Sequence, residues 1–221
     1  MSATQLHELP WYVDVTLWAS ILIAFAFTFF ATPNKAWVLG LLGIWTALIG
    51  GLTFAPLSLP GWSLLAGSLA LLGISFFVPA VKTFFFSLEV ELLHYLHLWR
   101  LPFAFVLLWL YQAGYSGITH TFEGLNYDIV IGLTAPVIAS LAFSQKMLNR
   151  EILIGWNVLG ILAWFIAIWL TSSELTRSVH FSQLFAQLPY TFFMGFLMPI
   201  SLLSHLLTLA HLFKGDIEVE S

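Results

Sequence analysis

Residues 91–128 read ELLHYLHLWRLPFAFVLLWLYQAGYSGITHTFEGLNYD, and this stretch decides the fold. Glu91, His94, His97 and Arg100 open it, each three residues after the last. Leu92–Tyr115 is apolar enough to cross a bilayer, since a spanning helix needs about 20 such residues. A polar loop carrying His120, Glu123, Asn126 and Asp128 closes the stretch. The pattern of a polar helix end, an oily run and a polar turn is that of one span in a multi-pass membrane protein.

The rest of the chain agrees. Of its 221 residues 60% are hydrophobic and 8% charged, with mean hydropathy +0.93. Soluble domains carry about 25% charged residues, so most of this surface is solvated by lipid. The length suits one domain, 1–221. The net charge of −4 comes with no basic patch, which excludes a nucleic-acid partner and leaves the lipid bilayer as the expected one. There are no cysteines, hence no disulfides, thiolate metal sites or cysteine nucleophile. Residues 1–10 lack the basic region of a cleavable signal, so the first apolar run is expected to be retained.

Outward from the central stretch, the expected spans are 11–31, 36–54, 62–81, 92–115, 129–144, 152–171 and 188–213. The fold class is therefore an all-α, seven-helix transmembrane bundle. Ala55 to Gly61 forms a turn, and Lys214 to Ser221 an acidic tail. Seven spans put Lys35, Lys82, Lys146, Arg150 and Lys214 on one side, with only Arg177 on the other outside a span. By the positive-inside rule the N-terminus is outside and the C-terminus cytoplasmic. Pro102, Pro136 and Pro199 do not recur at a fixed period, which argues against an inverted-repeat transporter.

Three polar constellations stand out. Glu91, His94, His97 and Arg100 share one helix ridge. Arg100 lies about 12 Å inside the boundary, where a charge either snorkels to headgroups or faces a partner or cavity. Ser201, Ser204, His205, Thr208 and His211 form a stripe on the last span, at the depth of His94 and His97. If the two spans pack, His94, His97, His205 and His211 are metal candidates, for a transition metal or a bis-histidine haem. The alternative is that they glue helices together, as Asn157 does on the sixth span. In the outer loop, Asp128 and Asn126 suit caps of the fifth span. With Glu123, Glu174 and His180, His120 and Asp128 also form a candidate cation cluster.

Catalytic signatures are missing: there is no HExxH, GxSxG or P-loop. No lysine lies within a span for a retinal Schiff base. The HxxxH pair of ceramidase-type membrane hydrolases is not matched, because His205 and His211 are six positions apart.

His97-x-x-Arg100-x-Pro102, Thr121-Phe-Glu-Gly-x-Asn-x-Asp128-Ile, Gly132-x-Thr134-Ala135-Pro136 and Trp156-Asn157 resemble a group of bacterial, Bacteroidetes-type integral membrane proteins. The resemblance covers most of the chain and implies a helical bundle in the bacterial inner membrane. It implies no reaction. Three functions stay open. The first is an intramembrane small-ligand or ion site built on Arg100, His94, His97, His205 and Asn157, transporter-like or receptor-like. The second is a metal- or haem-dependent enzyme using the histidines. The third is an accessory subunit whose polar groups only hold helices together.

Overall fold

The computed structural model describes residues 8–54 and 61–215, so the turn expected at Ala55 to Gly61, apart from Gly61 itself, and the tail beyond Gly215 lie outside the described residues. Every described element is helical. The order is α1 (Trp11–Ala31), α2 (Lys35–Phe54), α3 (Gly61–Ser75), α4 (Pro79–Phe86) and α5 (Val90–Tyr95). There follow α6 (Arg100–Gln112), α7 (Asp128–Ala139), α8 (Arg150–Arg177), α9 (Val179–Phe185) and α10 (Met198–Lys214). Short 3₁₀ segments at Leu96–Trp99 and Ile118–His120, and π segments at Ser140–Ser144 and Phe193–Leu197, complete the set.

Five continuous helices are long and apolar enough to cross a membrane: Trp11–Ala31, Lys35–Thr53, Val90–Gln112, Arg150–Arg177 and Phe193–Lys214. Their outward surfaces are apolar, with Trp18, Leu22, Ile44, Leu162 and Trp169 exposed. The chain is therefore a multi-pass helical membrane protein. The expected third span is not straight. Ser63–Ser75 and Pro79–Phe86 meet at 99°, with Val78 extended between them. Proline lacks the N–H that would continue the helix and biases the residue before it toward extended backbone. The expected fifth span is a short apolar helix, Asp128–Ser144.

Contacts sort the helix ends into two groups. At one end Glu89 N–H donates to Ala31 O (2.7 Å), Ser144 Oγ to Glu91 (2.6 Å) and Arg150 to Leu212 O (3.0 Å). At the other, Tyr190 donates to Asp14 (2.8 Å) and Ser178 to Tyr115 O (3.2 Å).

The main core joins α1, α6 and the π segment before α10 through Leu17, Ile21, Trp99, Phe103, Phe193 and Met194. That π segment solves a backbone problem. Pro199 has no N–H to offer the carbonyl one turn before it. The carbonyl of Gly195 instead accepts from Trp45 Nε1 (2.8 Å) on α2 and Ser68 Oγ (3.1 Å) on α3. Neighbouring helices re-satisfying a backbone group is what makes proline tolerable in lipid.

Candidate functional site

The expected ridge on the fourth span forms because the helix tightens. Residues 96–99 are 3₁₀, in which side chains three apart eclipse. His94, His97 and Arg100 are each about 1% exposed, so Arg100 does not snorkel to headgroups. Glu91 sits lower, half-buried, and accepts from Ser144.

Arg100 is paired. Its Nη1 donates to the carboxylate of Asp128, and its Nε donates to His97 Nδ1 (3.2 Å). This corrects the expectation that Asp128 caps the fifth span. Asp128 is the first residue of α7, makes no side-chain cap, and is only 7% exposed. The α7 helix begins inside the bundle because Gly132 lets its backbone approach α6. A Cβ there would stand 3.0 Å from Arg100 Cβ and 3.2 Å from His97 O.

The loop before α7 is built to hold Asp128 in place. Asn126 Oδ1 accepts from Asp128 N–H (3.1 Å), as expected of a local cap, while its Nδ2 donates to His120 O (3.0 Å). Thr121 Oγ1 donates to Ile118 O (2.8 Å) and accepts from Glu123 N–H (3.2 Å), closing the turn. Gly124 packs on the turn so closely that a Cβ would lie 2.7 Å from Thr119 Cα. The residues of the Thr-Phe-Glu-Gly-x-Asn-x-Asp motif thus act together in positioning one carboxylate.

His120 is pinned to α8, its Nε2 donating to Leu170 O (2.8 Å) with Glu174 3.7 Å away. Burial holds the His120 imidazolium below its ordinary titration range, against the opposite pull of the Leu170 carbonyl and Glu174. Glu123 and His180 are exposed and Asp128 faces Arg100, so the expected outer cation cluster does not converge. Among the described residues no group of three or more His, Asp or Glu side chains is arranged to hold a metal ion.

The fourth and last spans do pack together. Trp99 Nε1 donates to Ser201 Oγ (3.0 Å), and His97 Nε2 meets Ser204 Oγ (2.7 Å). The rings of His97 and His205 stack with centroids 4.1 Å apart and 20° between planes. Trp156, a residue that sequence reasoning passed over in favour of its neighbour Asn157, sits among the histidines. Its ring lies 5.2 Å from His94, 5.7 Å from His97 and 5.4 Å from His205. His211 stands apart, against Phe86 at 5.4 Å.

Donor and acceptor inventory fixes each imidazole. A carbonyl only accepts, so His94 Nδ1 donates to Val90 O (2.8 Å) and its Nε2 is left as an acceptor facing Asn157 Nδ2 (3.5 Å). Asn157 Nδ2 donates to Leu153 O (2.9 Å), which orients its Oδ1 to accept from His205 Nδ1 (3.0 Å). Arginine only donates, so His97 Nδ1 accepts and its Nε2–H donates to Ser204. His94 and His97 are thereby neutral and of defined tautomer, and His205 presents its Nδ1–H to Asn157. Face-stacked at 4.1 Å, His97 and His205 leave no room between them for a haem iron.

Two polar atoms of this network are buried without a hydrogen-bond partner among the described residues: Arg100 Nη2 and His205 Nε2. The edge of the His205 ring bearing Nε2 lies against Gly160, where a Cβ would run into it. Arg100 Nη2 has different surroundings. Arg100, Asp128 and Asn126, with the apolar Phe103, Ala104, Leu107, Phe122 and Ile129, line a cavity of about 10 Å³, the room one water needs. No family model matches the chain, and neither a curated protein nor a solved structure does.

Proposed function

We propose that this protein binds a small ligand or ion within the membrane, at Arg100 and Asp128. The observation that carries the reading is Arg100 Nη2, a buried guanidinium donor without a partner, on a residue that lines a small cavity together with Asp128 and Asn126. Unpaired buried donors cost about 1–3 kcal/mol, more when charged. Such a group inside a membrane bundle marks a binding or transport pathway by default. His97 anchors the guanidinium through Nε, and His205, Asn157 and His94 pack behind His97 rather than touching the ligand.

The site belongs in a seven-span bundle of a bacterial inner membrane, transporter-like or receptor-like, with the N-terminus outside and the C-terminus cytoplasmic. The five long helices, the bent pair α3–α4 and the short helix 128–144 support that count. The cluster of Lys35, Lys82, Lys146, Arg150 and Lys214 supports the orientation. A cysteine-free chain makes the orientation easy to test. Single cysteines at Glu8 and at Gly215, in intact cells, should label from outside only at Glu8.

The binding reading is tested by thermal unfolding of the purified protein against a panel of small ions and neutral solutes. At least one should raise the midpoint in the wild type and not in Arg100→Gln. A panel that leaves the wild type unmoved throughout would instead make the Arg100–Asp128 pair a structural staple.

A further inference from the structure

The charge balance of the site narrows what it takes, and the inference rests on the binding reading above. Arg100 is a fixed cation, since a guanidinium stays protonated in proteins. Its counter-charge is Asp128, the carboxylate paired with it. An uncompensated charge at this depth is strongly disfavoured, so the buried site stays neutral overall. An anion arriving alone would leave one positive and two negative charges. A cation arriving alone would leave two positive charges and one negative. An anion arriving with a proton leaves the sum unchanged: the proton goes onto the Asp128 carboxylate, the neutral acid releases Arg100 Nη1, and the anion takes both Nη1 and Nη2.

Geometry supports this exchange. Nη2 is already unpartnered, and Arg100, Asp128 and Asn126 share the lining of one small cavity. The volume of about 10 Å³ is at the scale of one water, so a halide needs less enlargement of the cavity than any polyatomic anion. Arg100 need not move, because Nε is anchored on His97 Nδ1 at 3.2 Å. The groups around Asp128 offer no second counter-charge. Arg100 is on α6, His97 lies behind its guanidinium, His205 on α10 stacks on His97, and His94 on α5 lies across Trp156. Asn126 links Asp128 to His120, whose neighbour Glu174 stands on α8.

We propose that Arg100, Asp128 and Asn126 form a site for one small monovalent anion of the halide class, taken up together with one proton that resides on Asp128.

The test uses the full chain, purified in detergent and exchanged into sodium sulfate with minimal buffer. Sodium chloride is added, with a pH electrode counting protons and thermal unfolding reporting occupancy. The expected result is one proton taken up per chloride bound. The chloride midpoint should tighten about tenfold per unit fall in pH while Asp128 is ionised in chloride-free protein, as linkage requires. Asp128→Asn mimics the protonated acid. It should bind chloride with a pH-independent midpoint and no proton uptake, unfolding early in sulfate and recovering in chloride. Arg100→Gln should show neither response. Chloride binding by the wild type without proton uptake overturns the proposal, as does an Asp128→Asn protein indifferent to chloride. If that variant does not purify, the wild-type proton count decides alone. If chloride is silent while another solute stabilises the protein through Arg100, this proposal falls and the wider reading stands. Silence from every solute removes both.

Discussion

Asp128 and Arg100 meet across 28 positions of chain, the first residue of α7 on the first residue of α6. Each helix start is thereby tied to the other inside the bundle. Removing one partner leaves the other buried and charged, at a cost of about 3–5 kcal/mol. Asp128→Ala should therefore lower the unfolding midpoint sharply in halide-free buffer. The double variant Arg100→Leu/Asp128→Leu should regain most of the loss, because apolar groups replacing both charges are often neutral or better. A double variant no more stable than Asp128→Ala would show that the pair is not what the region depends on.

Gly160 and His205 give a second test. A methyl on Gly160 would collide with the imidazole edge and stand 2.9 Å from Nδ1, the atom bonded to Asn157. Gly160→Ala should destabilise by about 1–3 kcal/mol through overpacking. Gly155→Ala on the same helix meets nothing within 4 Å and should be neutral or slightly stabilising. Equal midpoints for the two variants in thermal unfolding would contradict this packing.

The carbonyl of Gly195 accepts from both Trp45 and Ser68. Either donor alone keeps it satisfied, so Ser68→Ala should cost only about 0.5–1.5 kcal/mol. Combining Ser68→Ala with Trp45→Phe strands the carbonyl and should cost more than the sum of the two changes. A double-mutant cycle by denaturant unfolding reads the difference, and strict additivity would rule out the sharing.

His120 makes stability depend on pH. Its folded-state affinity for protons is below that of the unfolded chain, because burial outweighs the Leu170 and Glu174 contributions. Between the two titrations the unfolded state binds more protons, so stability rises with pH there. The His120 contribution is fully present above about pH 6.5, the ordinary histidine value, and is lost as pH falls below it. Thermal midpoints measured from pH 7.5 down to 5 should decline, and His120→Gln should flatten the decline. An unchanged slope in that variant would assign the effect elsewhere.

Gly124→Ala tests the loop as a positioning device. The backbone of Thr119 stands in the way of the new methyl and cannot swing aside as a side chain would. The loop should open, Asn126 should release Asp128 N–H, and the variant should share the destabilisation of Asp128→Ala. Crystallography or cryo-EM of the variant would locate Asp128 directly.

Sequence periodicity located the helices that run straight. The stretch 11–31 is bounded by Pro10 and Thr32, and the structure places α1 over those residues. The bend after Ser75 was invisible because Phe76, Phe77 and Val78 are as apolar as the helices beside them, and hydropathy is blind to direction. Depth along one helix was legible, so the common level of His94, His97 and His205 could be anticipated. His211 shares their stripe yet points to Phe86, because six residues along a helix turn a side chain well away from the original face. The Arg100–Asp128 pair was hidden for a different reason. A polar loop in sequence is read as a loop at the surface, whereas this one folds down onto α8 and lets α7 start within the bundle.

The 28 residues of α8 bear on the protein's relation to its host membrane. A helix of that length extends about 42 Å, against about 30 Å for the hydrocarbon layer. Excess length is relieved by tilt or by protrusion into the headgroups. Asn157 near one end of this rod orients His205, and Leu170 near the other holds the loop that carries Asp128. A bilayer that changes the lean of α8 would therefore bear on Asn157 and Leu170, and through them on His205 and His120, in one motion.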